Sequence, residues 1–152
     1  MGNGTETECE FKIQTIKMND KIVKIVCGAN HTIIQLLNDE IHGFGWNFNA
    51  QIGTGDTIDV LSPKLLMKEG IKKIVCGSTH TIYLTIDGES LGCGYNRNGQ
   101  LSFENKENVV LLPTLIMNDI EIKDIFCGIA HTLILKNNGE LFGFGNNIFG
   151  KF

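Results

Sequence analysis

The stretch IVCGSTHTIY, residues 74–83, decides the fold because the chain contains this pattern three times. The other copies are IVCGANHTII at residues 25–34 and IFCGIAHTLI at residues 125–134, so successive copies begin 49 and 51 residues apart. A fixed period of this length is typical of proteins built from stacked repeats, in which each copy is one structural unit. The chain is therefore predicted to be a repeat protein, and every motif is one of three equivalents.

Within each unit, short apolar segments rich in Ile, Val and Thr alternate with glycine-containing turns, which is the pattern of β-strands. In the second unit the predicted strands cover residues 64–67, 71–76, 81–86 and 90–95. The dipeptide Asp87-Gly88 accommodates the positive φ angles of a two-residue hairpin turn, so a four-stranded antiparallel meander is predicted. Such a sheet buries both faces only when neighbouring sheets stack on it, as the blades of a propeller do.

The predicted fold class is all-β: a partial β-propeller of three four-stranded antiparallel blades, either an open arc or completed by oligomerisation. Residues 1–10 are predicted to form a flexible acidic or polar N-terminal tail, and residues 11–152 a single repeat domain. Pro63 and Pro113 stand at matching points of two units and are taken to mark their starts. The predicted blades cover residues 11–62, 63–112 and 113–152.

Charge and hydropathy exclude several classes of partner. The formal net charge is −4, and the 13 basic residues are dispersed, so no cationic stripe suited to phosphates is present and no direct contact with nucleic acid is predicted. No stretch approaches the roughly 18 apolar residues of a membrane span. The N-terminal sequence MGNGTETECE has no secretory character, so a cytoplasmic or nuclear location is expected.

Each copy of the motif carries a cysteine, a glycine and a histidine at fixed spacing, and these are predicted to be structural. The nine positions are Cys27, Gly28, His31, Cys76, Gly77, His80, Cys127, Gly128 and His131. A cysteine nucleophile needs one singular site with a lowered pKa and a base within reach, whereas repetition at equivalent positions indicates a framework role. The cysteines are predicted to be small buried residues at strand ends. Each histidine ring is predicted to bond a nearby backbone group and so fix the turn after its glycine.

A zinc site is the alternative, because three histidines around a pseudo-symmetry axis with one open position are a familiar zinc arrangement. Equivalent side chains of three stacked sheets are expected to lie more than about 10 Å apart, however, whereas zinc needs ligands at about 2 Å. No catalytic residue, cofactor site or metal site is therefore predicted, and the protein is predicted not to be an enzyme.

The loops that differ between units are the predicted place for specific function, since framework positions serve the fold and loops carry recognition. The aromatic and arginine residues in or beside these loops are Trp46, Phe48, Tyr95, Arg97, Phe103 and Phe149. Residues of these types are the usual anchors of protein interfaces, so they are a predicted partner-binding face. The alternative, that most of them pack between blades, stays open at this stage.

The recurring CGSTHT turn, the segment GCGYNRNGQLS at residues 92–102 and the proline-led strand resemble the repeats of the regulator of chromosome condensation family. The resemblance implies a β-propeller that binds other proteins, and hence a non-enzymatic protein interaction module or scaffold. It also implies an alternative, a guanine nucleotide exchange factor or other regulator of a small GTPase, because the founding member acts on Ran. Expected partners are a protein, with a small GTPase or a ubiquitin-pathway protein as candidates, and a second copy of the chain that completes the propeller.

Overall fold

The computed structural model describes residues 2, 4, 15–101 and 107–151 of the chain. In this part all regular structure is β, and no helix that could span a membrane occurs in it. The strands of the first sheet are β1 (Ile22–Cys27), β2 (His31–Leu36), β3 (Ile41–Gly45) and β4 (Val60–Met67). Those of the second are β5 (Ile71–Cys76), β6 (His80–Thr85), β7 (Glu89–Tyr95) and β8 (Val109–Asn118). The third contains β9 (Ile122–Cys127), β10 (His131–Lys136) and β11 (Leu141–Gly145).

Each sheet is an antiparallel meander in chain order, as the short apolar segments and the Asp87-Gly88 hairpin dipeptide predict. The register repeats from sheet to sheet: His31 is opposite Gly45, His80 is opposite Gly94, and His131 is opposite Gly145. At Gly45 the φ angle is 112°, and a Cβ would lie 2.5 Å from the carbonyl oxygen of Asn30. Only glycine fits there, because both the left-handed backbone and the close approach exclude a side chain.

The predicted blade boundaries differ from the observed sheets. The boundaries at residues 62/63 and 112/113 fall inside β4 and β8, and these proline-led strands pair with β3 and β7. Each therefore ends its own sheet instead of beginning the next, so the third sheet has three strands among the described residues, where four were expected. The repeat period does not show at which residue each sheet begins. The short connection at residues 68–70 also resembles a hairpin turn, although it leads from one sheet to the next. The predicted tail at residues 1–10 lies almost entirely outside the described residues.

The hydrophobic core lies between the sheets, which stack as the blades of a partial propeller. One cluster joins the first two sheets and contains Ile33, Ile41, Ile52, Ile71, Ile74, Tyr83 and Cys93. Another joins the second and third sheets and contains Ile82, Leu84, Leu101, Val110, Ile122, Ile125, Ile134 and Phe144. Burial of each large apolar side chain stabilises the fold by about 1.5–3 kcal/mol, so the sheets depend on one another for stability.

Candidate functional site

The turn that follows the first strand of each sheet is closed by the repeated glycine and histidine. The N–H of Gly28 donates to the carbonyl of His31 at 2.9 Å, and Gly77 and His80 form the same bond at 2.9 Å. The His31 ring lies directly over Gly28, where a Cβ would be 2.1 Å from the ring Cε1. The glycine is thus required by the ring that packs on it.

The histidine ring bonds a residue of the next sheet, not a nearby backbone group as predicted. His31 Nε2 lies 2.9 Å from Thr81 Oγ1, and the Thr81 hydroxyl donates to the carbonyl of Gln51 at 2.6 Å. Because that hydroxyl has only one proton, its oxygen accepts from His31, which is therefore the Nε2–H tautomer. His80 makes the equivalent contact with Thr132 at 3.2 Å.

These two histidines are uncharged at neutral pH. Burial lowers the pKa of His31 to about 4. Burial, assisted by the neighbouring His31 and His131, lowers the pKa of His80 to about 3. A neutral ring with a fixed N–H is suited to a permanent hydrogen bond between sheets, and it is poorly suited to accept a proton as a general base at pH 7.

The repeated cysteines do not pair with the histidines. Cys76 Sγ lies 3.7 Å from Thr81 Oγ1, and burial raises the pKa of Cys76 and of Cys127 to about 12. Thiols in this state are poor nucleophiles and poor metal ligands. The repeated cysteines were predicted to be buried, but Cys76 and Cys127 are half-buried and Cys27 is exposed, since no described sheet covers the first sheet on that side. In the described ranges, no group of three or more His, Cys, Asp or Glu side chains could hold a metal ion.

Two buried amides that the sequence reasoning missed hold the loop between β3 and β4. Asn47 accepts from the N–H of Ile52 at 3.0 Å, and its amide donates to Thr54 Oγ1 at 2.9 Å. Gln51 Oε1 accepts from the N–H of Asn49 at 3.0 Å, and the backbone carbonyl of Gln51 is the acceptor for Thr81. The signal was present, since the segments GWNFNAQ and GYNRNGQ repeat the same Asn and Gln spacing. These bonds make the loop a rigid part of the sheet junction.

The loops after β3, β7 and β11 lie at the same end of the arc as the glycine–histidine turns, and we call this the loop end. In the third of these loops the N–H of Asn146 donates to the carbonyl of Ala130 at 2.8 Å. The N–H of Trp46 donates to the carbonyl of Asn30 at 2.8 Å, and the N–H of Tyr95 donates to Thr79 at 2.9 Å. The turns themselves line a shallow groove formed by residues 27–29, 76–78 and 127–129. Ile129, in the third turn, is exposed and was not singled out from the sequence.

Three of the six predicted partner-binding residues, Phe48, Arg97 and Phe149, are exposed at the loop end. Phe48 is 68% exposed and Phe149 is 92% exposed, so neither packs between blades. Trp46 is partly buried and stacks on Phe48, with ring centroids 6.1 Å apart and planes inclined by 10°. Tyr95 is also partly buried, whereas Arg97 is exposed. Phe103 lies outside the described residues.

The repeat model of the regulator of chromosome condensation (RCC1) matches residues 22–51, 71–100 and 122–151, and a second model of the same repeat matches residues 38–84 and 87–135. The chain belongs to the RCC1 repeat family. The expectation from the sequence is thus confirmed, and the ranges matched by the first model each begin at the first strand of a sheet.

Solved structures show the same fold. The crystal structure of human WBSCR16 has a TM-score of 0.73 at 20% identity, over 85% of this chain and 34% of that one. Yeast RCC1 (Prp20) bound to Kap60 has a TM-score of 0.73 at 23% identity, over 83% of this chain and 32% of that one. Prp20p from Saccharomyces cerevisiae has a TM-score of 0.73 at 24% identity, over 85% of this chain and 32% of that one. The chain thus spans about a third of the length of these RCC1-type propellers.

Proposed function

We propose that this chain is a non-enzymatic protein interaction module that binds a partner protein through its loop end. The observation that carries the proposal is the exposure of large apolar side chains there: Phe48, Ile58, Ile129, Ile148 and Phe149. Exposed apolar groups that cluster on one end of a folded domain are characteristic of interaction surfaces. The repeated cysteines and histidines serve the fold, so these non-repeating positions are the ones left for recognition.

The loop end is also pre-organised. Asn47 ties its own loop at several points, including the carbonyl of Ile58 at 3.2 Å, and the N–H of Asn47 donates to Asp59 at 2.7 Å. A surface that is rigid before binding loses little conformational entropy when a partner docks. Phe48 and its stacked neighbour Trp46 are therefore suited to be anchors.

The opposite end of the arc has a different character. Its turns expose the apolar side chains of Leu37, Ile86 and Ile120, but beside them they carry several acidic side chains, which are Asp39, Glu40, Asp87, Asp119, Glu121 and Glu140. Asp119 is paired with Lys136 and Glu40 with His42, but the other carboxylates are exposed, and their hydration disfavours a dry contact at this end. This contrast favours the loop end for partner binding.

The test is a matched pair of substitutions at the two ends. A partner captured by the wild-type protein is purified, and its affinity is measured for Phe48→Asp at the loop end and for Ile86→Asp at the opposite end, where Ile86 is also exposed. We expect Phe48→Asp to weaken binding by at least about tenfold, or about 1.4 kcal/mol, and Ile86→Asp to leave it unchanged. Full affinity in Phe48→Asp, Trp46→Ser and Phe149→Asp together would overturn the proposal.

A second candidate function is regulation of a small GTPase, and family membership favours it. Prp20p, which shares the fold, is described with binding properties toward Gsp1p and histones. Acceleration of nucleotide release from a GTPase by catalytic amounts of this chain would establish exchange activity and replace the simple binding role. The proposed partners also include a ubiquitin-pathway protein in the cytoplasm or nucleus and a second copy of this chain.

A further inference from the structure

The first strand of each sheet is an edge strand, and β5 contacts both β1 and β9, so the three first strands lie side by side. We call this side of the arc the inner edge. The three strand sequences are IVKIVC, IKKIVC and IKDIFC, which together carry four lysines and one aspartate. Because the whole chain has a formal net charge of −4, the inner edge is a local concentration of positive charge on an acidic protein.

One position of the inner edge is occupied by Lys24, Lys73 and Asp124 in the three strands. Lys73 and Asp124 form an ion pair between the second and third sheets, and the Lys73 ammonium also lies 4.4 Å from the centre of the Phe126 ring. Lys24 forms no ion pair with any of the described residues. Partial burial and the charge of Lys73 lower the pKa of Lys24, although Asp124 acts in the opposite direction. The Lys24 ammonium thus lies close to a second ammonium and has no carboxylate of its own.

The preceding position adds further positive charge. It is occupied by Val23, Lys72 and Lys123, whose side chains are all exposed. In each sheet this residue has no partner on the second strand, so it is the extra residue of a β-bulge. The charge of Lys72 also reaches Asp124: burial opposes the shift, but hydrogen bonds and the charges of Lys73 and Lys72 hold the pKa of Asp124 below its usual range. A single carboxylate is therefore shared by several ammonium groups.

We propose that the inner edge binds an acidic peptide segment of a partner protein, whose carboxylates pair with Lys24, Lys72 and Lys123. Asp124 already neutralises Lys73, so these three lysines are the ones left for a ligand. Complementary charge of this kind attracts a ligand and orients it on the surface. The site lies apart from the loop end, so the proposal goes beyond the partner binding assigned to that end.

Two features favour a short acidic peptide over a nucleic acid. Apolar side chains stand beside the lysines, since Val23 is 50% exposed and Phe126 is 43% exposed. They match a ligand that carries apolar groups between its carboxylates. The strands also begin at the acidic end of the arc, where Glu121 directly precedes β9. A polyanion long enough to extend past the lysines would meet these carboxylates and be repelled.

The test is a titration of the full chain with a fluorescein-labelled hexapeptide that alternates glutamate with leucine, followed by fluorescence anisotropy. We expect saturable binding that weakens as the NaCl concentration rises, and no binding of the same peptide with glutamine in place of glutamate. Lys24→Glu should lower the affinity by at least about tenfold. This substitution relieves the repulsion with Lys73, so the fold should be retained, which urea unfolding checks. Lys64→Glu is the matched control: it changes the net charge equally but lies exposed on β4, at the opposite edge of the first sheet, so the affinity should be nearly unchanged.

A second variant has the opposite expected sign. Asp124→Asn removes the carboxylate that competes for the lysines, so the peptide should bind at least about threefold more tightly, a gain that a purely structural role of the cluster does not predict. The proposal is wrong if the glutamate and glutamine peptides bind equally, if Lys24→Glu loses no more affinity than Lys64→Glu, or if a folded Asp124→Asn variant binds more weakly. An oligothymidylate of equal charge that binds more tightly than the peptide, with the same dependence on Lys24, would also overturn it, because the site would then be one for nucleic acid. Partner binding at the loop end is measured separately with Phe48→Asp, so the two proposals fail independently.

Discussion

His31 donates a hydrogen bond from Nε2 to Thr81 Oγ1 at 2.9 Å, and the two residues are 50 positions apart in the chain. The bond joins the first sheet to the second, and the Thr81 hydroxyl continues it to Gln51 of the first unit. His31, which resembles a catalytic base in the sequence, therefore links two blades, and we call its hydrogen bond to Thr81 the joint between blades. Because the joint recurs between His80 and Thr132, its contribution is a property of the repeat.

Loss of the threonine hydroxyl should destabilise the fold where it forms the joint. Thr81→Val leaves the buried N–H of His31 without an acceptor and leaves the carbonyl of Gln51 with only the weak contact of Cys93 Sγ at 3.7 Å, at a cost of about 1–3 kcal/mol. Thr32→Val is the matched control, since Thr32 holds the same strand position on the outer face of the first sheet. Urea unfolding should show a clearly lower midpoint for Thr81→Val only. Equal midpoints in the two variants would argue against the joint.

The repeated glycine should not tolerate a methyl group. In Gly77→Ala the new Cβ would lie 2.0 Å from the Cε1 of His80 and 2.8 Å from the carbonyl oxygen of Gly128. Relief of this overlap requires movement of the ring, so we expect a loss of about 1–3 kcal/mol in the free energy of unfolding. In a His80→Ala background the same substitution should cost less, because the nearest contact has been removed. A cost that is independent of His80 would mean that the ring is not what requires the glycine.

Stability should decrease in mild acid. The folded-state pKa values of about 4 for His31 and about 3 for His80 lie below the ordinary value, so the unfolded state binds more protons over this window. The free energy of unfolding should therefore fall as the pH drops below about 6.5, by up to about 1.4 kcal/mol per pH unit for each histidine, and depend little on these groups at higher pH. Urea titrations between about pH 5 and 6.5, where free carboxyl groups stay ionised, measure the slope. His80→Gln should reduce it; an unchanged slope would show that His80 does not titrate as described.

The cysteines should react with a thiol reagent at very different rates. In a Cys9→Ser background, which removes a residue outside the described ranges, Cys27 is exposed and should react first. Burial raises the pKa of Cys76 and Cys127 to about 12 and raises that of the fully buried Cys93 still further, so these three should react slowly until the protein unfolds. Mass spectrometry after brief labelling identifies the sites. Rapid labelling of Cys93 in the folded protein would contradict the packing of the second sheet on the first.

The period, the strand content and the family could be predicted because three copies of one motif reinforce each other. The residue at which each sheet begins could not be predicted, because the strand at residues 60–67 pairs with β3 across the long loop at residues 46–59. The three-residue connection to β5 suggests a hairpin, although the chain crosses there to the next sheet. Local turn signals describe backbone conformation and do not reveal which strands share a sheet.

The role of the repeated histidine was only half predictable. Repetition indicated a structural role, but the ring partner was wrongly expected to be local. The adjacent residues His80 and Thr81 bond different sheets: His80 donates to Thr132 of the third sheet, and Thr81 accepts from His31 of the first. The spacing within the motif does not reveal these partners, because each of them lies a full repeat away in the chain. The exposure of Cys27 was missed for the same reason, since only a neighbouring sheet would bury this residue.

A double-mutant cycle between His31 and Thr81 tests the joint between blades most directly, as free energies of unfolding for wild type, His31→Ala, Thr81→Val and the double variant. If the two side chains form the joint, the double variant loses less stability than the sum of the single variants, by at least about 0.5 kcal/mol. Strictly additive losses would contradict the joint. So would a His31→Ala variant with full stability that had lost partner binding, because the histidine would then belong to the functional site instead of the framework.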